Sequence, residues 1–236
     1  MLMSTKRTGE YLQKGDYHLN LNPNWPYLPV YLEKMKHVRN FLNKQGRNKK
    51  IIDVGCGEGV LIEEYHRKGF DITGLDLNFQ SKFVKKGNLL NPRLPKNYYD
   101  IILCLDVIEH LHFHEQKVAI NNIIKMLKFG GKLFITIPNL AHFASRFTFL
   151  FMGKLLRTSK IERHRGDRPI NEYLQLLKTH FVILERKGLF PTFPLISALT
   201  YFKPSKAIFL HRIYNKLFGY PNWCLLNIII CKKNKK

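Results

Sequence analysis

The sequence predicts an α/β protein on a doubly wound, mostly parallel seven-stranded sheet, with an antiparallel edge strand and a helical insertion after strand five. Three observations carry this. From Lys50 onward, short apolar runs alternate with helix-period patterns, as in a parallel sheet wound with helices. The first run passes straight into a glycine-rich turn. The last two runs, residues 181–187 and 223–231, are separated by too long a segment for one crossover helix, so they could pair antiparallel at the sheet edge.

Along the chain, Trp25, Leu28, Leu32, Met35, Val38, Phe41 and Leu42 recur at helical spacing. They define a helix over 25–43 within an amino-terminal extension (1–48) that precedes the main domain (49–236). Strand one covers 50–54 and is followed by a helix over 59–68. Strand two runs 71–75, strand three 82–85 and strand four 99–105. A helix over 115–128 presents Val118, Ile120, Ile123, Ile124 and Leu127 on one face. Gly130 and Gly131 are expected to end it as a left-handed cap, before strand five at 132–137. The insertion, 138–179, reads as a lid: an aromatic helix over 141–156, a basic loop over 157–168 and an amphipathic helix over 169–179. A basic helical segment, 192–222, separates the last two strands.

Composition narrows the class. The chain has 236 residues, 45% hydrophobic, an ordinary globular mix. Its 39 Lys+Arg against 17 Asp+Glu give a net +22, a field that attracts phosphates, nucleic acid or anionic lipid, or that merely records a lysine-rich composition. Cys56, Cys104, Cys224 and Cys231 show neither paired nor metal-finger spacing and read as buried hydrophobes in a reducing compartment. Residues 1–15 lack the apolar core of a signal peptide. The apolar stretch 133–153 is interrupted by Pro138, Asn139, His142, Ser145 and Arg146, and 225–231 is too short to span a bilayer. The expected location is cytoplasmic, with peripheral contact at the inner membrane surface as a further reading.

The chemistry concentrates in Ile51-Ile52-Asp53-Val54-Gly55-Cys56-Gly57-Glu58-Gly59. Gly55 permits the turn, Gly57 allows close backbone approach to a ligand, and Gly59 lets helix and strand pack. The spacing differs from the dinucleotide pattern, and an acid ahead of the glycines suits an ammonium-bearing ligand such as a methionine moiety. A second acid, Asp76, ends strand two, where a carboxylate can accept both hydroxyls of a ribose.

Asp53–Gly59, Asp76, the 99–111 run and residues 127–139 together resemble the class I S-adenosylmethionine (SAM) dependent methyltransferases, which are Rossmann-like. Asp106-Val107-Ile108-Glu109-His110-Leu111 and Ile137-Pro138-Asn139 are similar to the branch holding ubiquinone-biosynthesis O-methyltransferases, methionine-biosynthesis-like proteins and surface-polysaccharide methyltransferases. The resemblance implies that Asp53, Gly55, Cys56, Gly57 and Gly59 hold the methionine part of SAM. It implies Asp76, with Leu77, at the ribose, Asn88 and Leu89 beside adenine, and Leu105 and Asp106 bordering the methyl donor. Families usually carry Asp where Asn88 stands; an amide oxygen can still accept from the adenine amino group.

Asp106, Glu109 and His110 are spaced i, i+3, i+4, which on a helix puts them on one face. That set could hold Mg²⁺ or Mn²⁺, with His164 as a fourth ligand, or could serve packing and hydrogen bonding beside SAM. Those relatives known to carry related sets have Glu at the first position, where this chain has Asp106. For a hydroxyl acceptor a base is needed; His110 is the expected one, oriented by Glu109, with His142 as a substitute.

Phe143, Phe147, Phe149 and Phe151 in the insertion lie close to Arg146, Lys154 and Arg157. Phe at helical spacing reads first as core; the alternative is a surface that stacks an acceptor or seats a lipid-linked one. The expected function is O-methylation of a small-molecule, glycan or lipid-linked acceptor. The alternatives are metal-dependent ribose methylation of RNA and a non-catalytic SAM-binding, membrane-associated scaffold.

Overall fold

The computed structural model describes residues 5–8, 18, 20–157 and 159–234. The reading of residues 1–15 falls mostly outside these, as do the last two lysines of the tail. Seven strands form one sheet: β1 (Lys50–Val54), β2 (Asp71–Asp76), β3 (Val84–Lys86), β4 (Tyr99–Leu105), β5 (Leu127–Pro138), β6 (Phe181–Leu189) and β7 (Leu226–Lys233). Their order is β3-β2-β1-β4-β5-β7-β6. Strands β1 to β5 are parallel, while β7 runs antiparallel to both β5 and β6. The edge pair is therefore antiparallel, as its sequence suggests, with the reversed strand as its inner member. A two-residue ribbon pairs Lys6–Arg7 with Phe79–Gln80.

The two-residue period of the strands sorts side chains between two layers. Ile51, Ile101 and Phe134 join one core with helices α1 (Leu28–Asn43), α2 (Val60–Arg67), α6 (Pro194–Phe202) and α7 (Pro204–Phe218). Ile52, Ile102 and Ile135 join the other with α3 (Phe113–Met126) and α5 (Ile170–Lys178). Near-continuous apolar runs in β1 and β4 follow from burial on both faces.

Helix α1 buries Val38 and Leu42 completely, but also Glu33 and Lys34. Arg212 on α7 pairs with Glu33 at 3.3 Å, tying α7 to α1. Helix α3 begins with a reciprocal cap, in which Glu115 Oε2 accepts from the His112 N–H at 2.8 Å.

The glycine pair does not end α3. That helix stops at Met126, and its open carbonyls on Ile124 and Leu127 each accept from Lys233 Nζ at 2.7 Å. The chain enters β5 directly, and residues between Leu127 and Lys132 bulge out, because Tyr99 pairs with Leu127 and Ile101 with Lys132. Gly130, at φ +72°, supplies the left-handed step that the bulge needs.

Helix α4 (Phe143–Met152) overturns the core reading of its phenylalanines: Ser145 is its only buried residue. No helix among the described residues is long and apolar enough to cross a membrane.

Candidate active site

Where the strand order reverses, between β1 and β4, the carboxyl ends of the strands leave a crevice, the usual ligand position in open α/β sheets. A cavity of about 800 Å³ fills it. Its walls bring together the predicted Asp53, Gly55, Cys56, Gly57, Asp76, Leu77, Asn88, Leu89, Leu105, Asp106, Glu109 and His110. Gly59 does not line it. At φ +73° it caps α2, and a Cβ there would approach Val84 Cγ2 to 2.9 Å, so its role is the helix–strand packing expected of it.

The glycine turn and second acid are joined directly: Gly57 N–H donates to Asp76 Oδ2 at 2.8 Å. Asp76 Oδ1 accepts from the Asn78 N–H, also at 2.8 Å. Asn88 Oδ1 accepts from the Leu90 N–H at 2.9 Å, so a local turn holds this amide. Leu77 is 56% exposed and offers an apolar wall beside Asp76.

Asp53 and Asp106 behave oppositely. Burial pushes the Asp53 carboxyl up to about 8, and its Oδ1 has no hydrogen-bond partner among the described residues. An orphaned, buried acceptor on a cavity wall fits a ligand that brings a positive charge. Burial also works to raise the Asp106 carboxyl, but Lys34 and hydrogen bonds from Lys34, Thr136 and Tyr27 outweigh it and hold the group below its usual value. Lys34 Nζ donates at 2.7 Å, Tyr27 OH at 2.9 Å, and Thr136 Oγ1 at very short range.

Those partners correct the predicted metal set. Asp106 has a left-handed backbone, φ +56°, fixed by donation of its N–H to Thr136 Oγ1 at 2.9 Å. Only afterwards does a single 3₁₀ turn, Ile108–His110, begin. The three residues therefore share no helix face, and α1 has taken the Asp106 carboxylate. Glu109, His110 and His164 do converge, with candidate ligand atoms all within 4.8 Å of one another. Two of these three donors are imidazole nitrogens. Burial and the Asp106 charge push the Glu109 carboxyl well above the usual range. Such a set does not fit Mg²⁺, which prefers an oxygen shell.

His110 Nδ1 lies 2.9 Å from the Arg163 carbonyl oxygen. A carbonyl can only accept, so Nδ1 carries the proton and Nε2 keeps the lone pair. Burial lowers the His110 pKa, which favours that neutral ring. The orienting group is this carbonyl and not Glu109, whose Oε2 is buried without a hydrogen-bond partner among the described residues. The Arg163 segment is bolted to the 3₁₀ turn. Gly166 N–H donates to Glu109 O at 3.0 Å, while Gln116 Nε2 reaches the carbonyls of Ile108, Leu111 and Gly166 at 2.9–3.2 Å. A Cβ on Gly166 would collide with Leu111 O and Gln116 Nε2.

His142 is a structural residue away from the cavity. It caps α4: Nδ1 accepts from Ser145 N–H at 3.3 Å and from Thr192 Oγ1 at 3.1 Å. Nε2–H donates to Leu156 O at 3.0 Å. Burial lowers its pKa to about 4, so with both nitrogens engaged it is no base.

The wall also contains residues that motif reading missed: Tyr27, Tyr31 and Lys34, with His18, Asn24 and Trp25 before them. Their signal was present. Tyr27, Tyr31 and Lys34 are spaced i, i+4, i+7, one polar-tipped line along a helix otherwise read only for its apolar stripe.

Residues 27–181 match the family model described as a methyltransferase domain. The ubiquinone biosynthesis O-methyltransferase of Nitrosococcus oceani is 30% identical over 154 residues, 58% of this chain and 64% of that protein. The enzyme of that name from Escherichia fergusonii is 30% identical over 106 residues, covering 39% and 43%. The chain thus spans less than two thirds of the length of these curated relatives. A solved SAM-dependent methyltransferase from Archaeoglobus fulgidus superposes with a TM-score of 0.56 at 16% identity, covering 92% of this chain and all of that one, which is a likeness of fold. The chain belongs to the methyltransferase-domain family of class I SAM-dependent methyltransferases.

Proposed function

We propose that this chain binds SAM in the β1/β4 crevice and methylates a hydroxyl group of a small-molecule acceptor. The observation that carries the reading is His110, whose Nε2 lone pair is set by the Arg163 carbonyl on the wall of the cavity that holds the glycine turn and Asp76. At about 800 Å³, the cavity sits high in the range of roughly 300–1,000 Å³ typical of ligand sites, which favours two ligands side by side. The names of the relatives, O-methyltransferases of ubiquinone biosynthesis, support a hydroxyl acceptor.

Asp53 would take the ammonium of the methionine moiety, Lys34 its carboxylate and Asp76 the ribose hydroxyls. Leu77 and Leu89 would flank the nucleoside, with Asn88 at the adenine edge. Bound there, SAM supplies an electrophilic methyl group. The protein's part is to position the acceptor and remove its proton. His110 Nε2 accepts the hydroxyl proton, and the Arg163 carbonyl stabilises the imidazolium that results.

The test is an acceptor screen with labelled SAM, run on wild type and His110→Gln. Wild type is expected to label phenolic or other hydroxyl acceptors, and the variant to turn over about 10²–10⁴-fold more slowly with unchanged SAM affinity by calorimetry. Labelling confined to nitrogen or carbon nucleophiles, or a variant as fast as wild type, overturns the reading.

A further inference from the structure

Helix α4 carries Phe147, Phe149, Leu150, Phe151 and Met152, each more than half exposed. Contiguous apolar surface of this kind marks an interaction site when a rim of polar groups surrounds it. The patch continues past the helix. Phe143 stacks on Trp223 with ring centroids 5.5 Å apart and meets Phe193 edge-on at 4.9 Å; Phe193 in turn meets Phe218 at 5.4 Å. Tyr220 and Trp223, both exposed, extend it.

The segments that build this surface carry basic charge alone, and the acids that pair with them from elsewhere, Glu33 with Arg212 and Asp167 with Arg157, are buried. The sequence contains no Asp or Glu in residues 116–161 and none in residues 186–236. Those two stretches build α4 and its flanks, α6, α7 and the loop into β7. Lys154, Lys203, Lys206 and Lys216 in these segments are exposed.

We infer that this face docks on an anionic bilayer surface, with α4 lying in the headgroup layer. Phe143, Phe147, Leu150 and Phe151 share one face of this short helix, and with lysines but no acids in the segments around it they match an element that lies in the interface plane. A second copy of the chain fits poorly, since it would bring two acid-free surfaces together on molecules each carrying a net +22. Anionic headgroups supply the missing opposite charge, and acyl chains the apolar contact. The inference is independent of the methyl-transfer reading.

Flotation of the full chain with phosphatidylcholine vesicles, with and without phosphatidylglycerol, tests it. Binding is expected only where phosphatidylglycerol is present, and it should weaken as salt rises. Lys154→Ala and Lys216→Ala should each reduce partitioning about fivefold. The pair Leu150→Glu with Phe151→Glu should reduce it about tenfold or more, and SAM affinity in every variant should match wild type, showing that the fold is intact. The inference is overturned if the anionic vesicles leave the protein behind, or if the variants float like wild type. Light scattering that reveals a dimer dissolved by the double variant would also overturn it, assigning the face to a second copy. Because SAM binding and turnover are measured separately, loss of this inference leaves the methyl-transfer reading standing, and the reverse.

Discussion

Helices α1 and α4 both present apolar side chains at helical spacing with basic residues nearby, yet they have opposite destinations. Helix α1 sinks its stripe into the sheet and carries Lys34 in with it, to within 2.7 Å of Asp106. Helix α4 keeps Phe147, Phe149 and Phe151 in solvent and is held at its amino-terminal end, through the His142 cap and the Phe143 contacts with Phe193 and Trp223. Apolar spacing along a helix thus reports that a face wants cover, and the chain's remaining elements decide whether the cover is internal.

The sharpest way to break that contrast is to put charge on each helix. Val38→Asp buries an unpaired carboxylate at a fully enclosed position and should cost more than about 4 kcal/mol, enough to abolish the cooperative transition. Phe151→Asp should change stability by less than about 0.5 kcal/mol. Thermal melts followed by circular dichroism separate the two. Equal losses would mean that α4 is covered in solution and the contrast is false.

Next in size, Lys34→Ala should destabilise by about 3 kcal/mol, because it leaves Asp106 partly buried without its cation. It should also weaken SAM binding. Lys34→Arg should recover part of the stability but less of the binding, since the larger guanidinium does not fit the same enclosed position.

Asp53→Asn should act in the other direction. The folded protein raises this carboxyl from 3.8 to about 8, so its stabilising protonated form is complete below pH 3.8 and is lost as pH rises through about 8. The amide removes that loss, and at pH 8.5 the ligand-free variant should melt several degrees higher, a gain on the order of 2–4 kcal/mol, while losing SAM affinity. For wild type at pH 6.5, binding a cationic ligand should ionise Asp53 and release about one proton per site, read by calorimetry in buffers of different ionisation enthalpy. A variant that melts no higher would show that Asp53 is not held protonated. Gly166→Ala should push the Arg163 carbonyl away from His110 and slow turnover about tenfold with SAM affinity retained.

Much of the crevice was legible because its determinants are local. A strand, three glycines and an acid in nine residues describe their own turn, and Asp76 follows from the next strand end. The two-layer sheet was legible for the same reason, through strands whose apolar runs have no polar face. What escaped depends on contacts between distant segments. Lys34 reaches Asp106 across 72 positions, and His110 is oriented by a carbonyl 53 positions away. Sequence offered both His110 and His142 as bases, ranking His110 first, and only their spatial neighbours make one a candidate base and the other a cap. The glycine pair misled because a helix end and a strand bulge ask for the same left-handed residue. Here Lys233, far along the chain, had already satisfied the helix end.

Gln116 stitches the loop around Gly166 to the 3₁₀ turn that carries His110 with a single amide. Any remodelling of that loop, whether by engineering for new acceptors or by natural drift, therefore tugs on the imidazole's tautomer at the same time. For the proposed hydroxyl methylation, selectivity and base strength should evolve as one trait, and swapped loops should arrive catalytically blunt until the histidine's carbonyl partner is rebuilt.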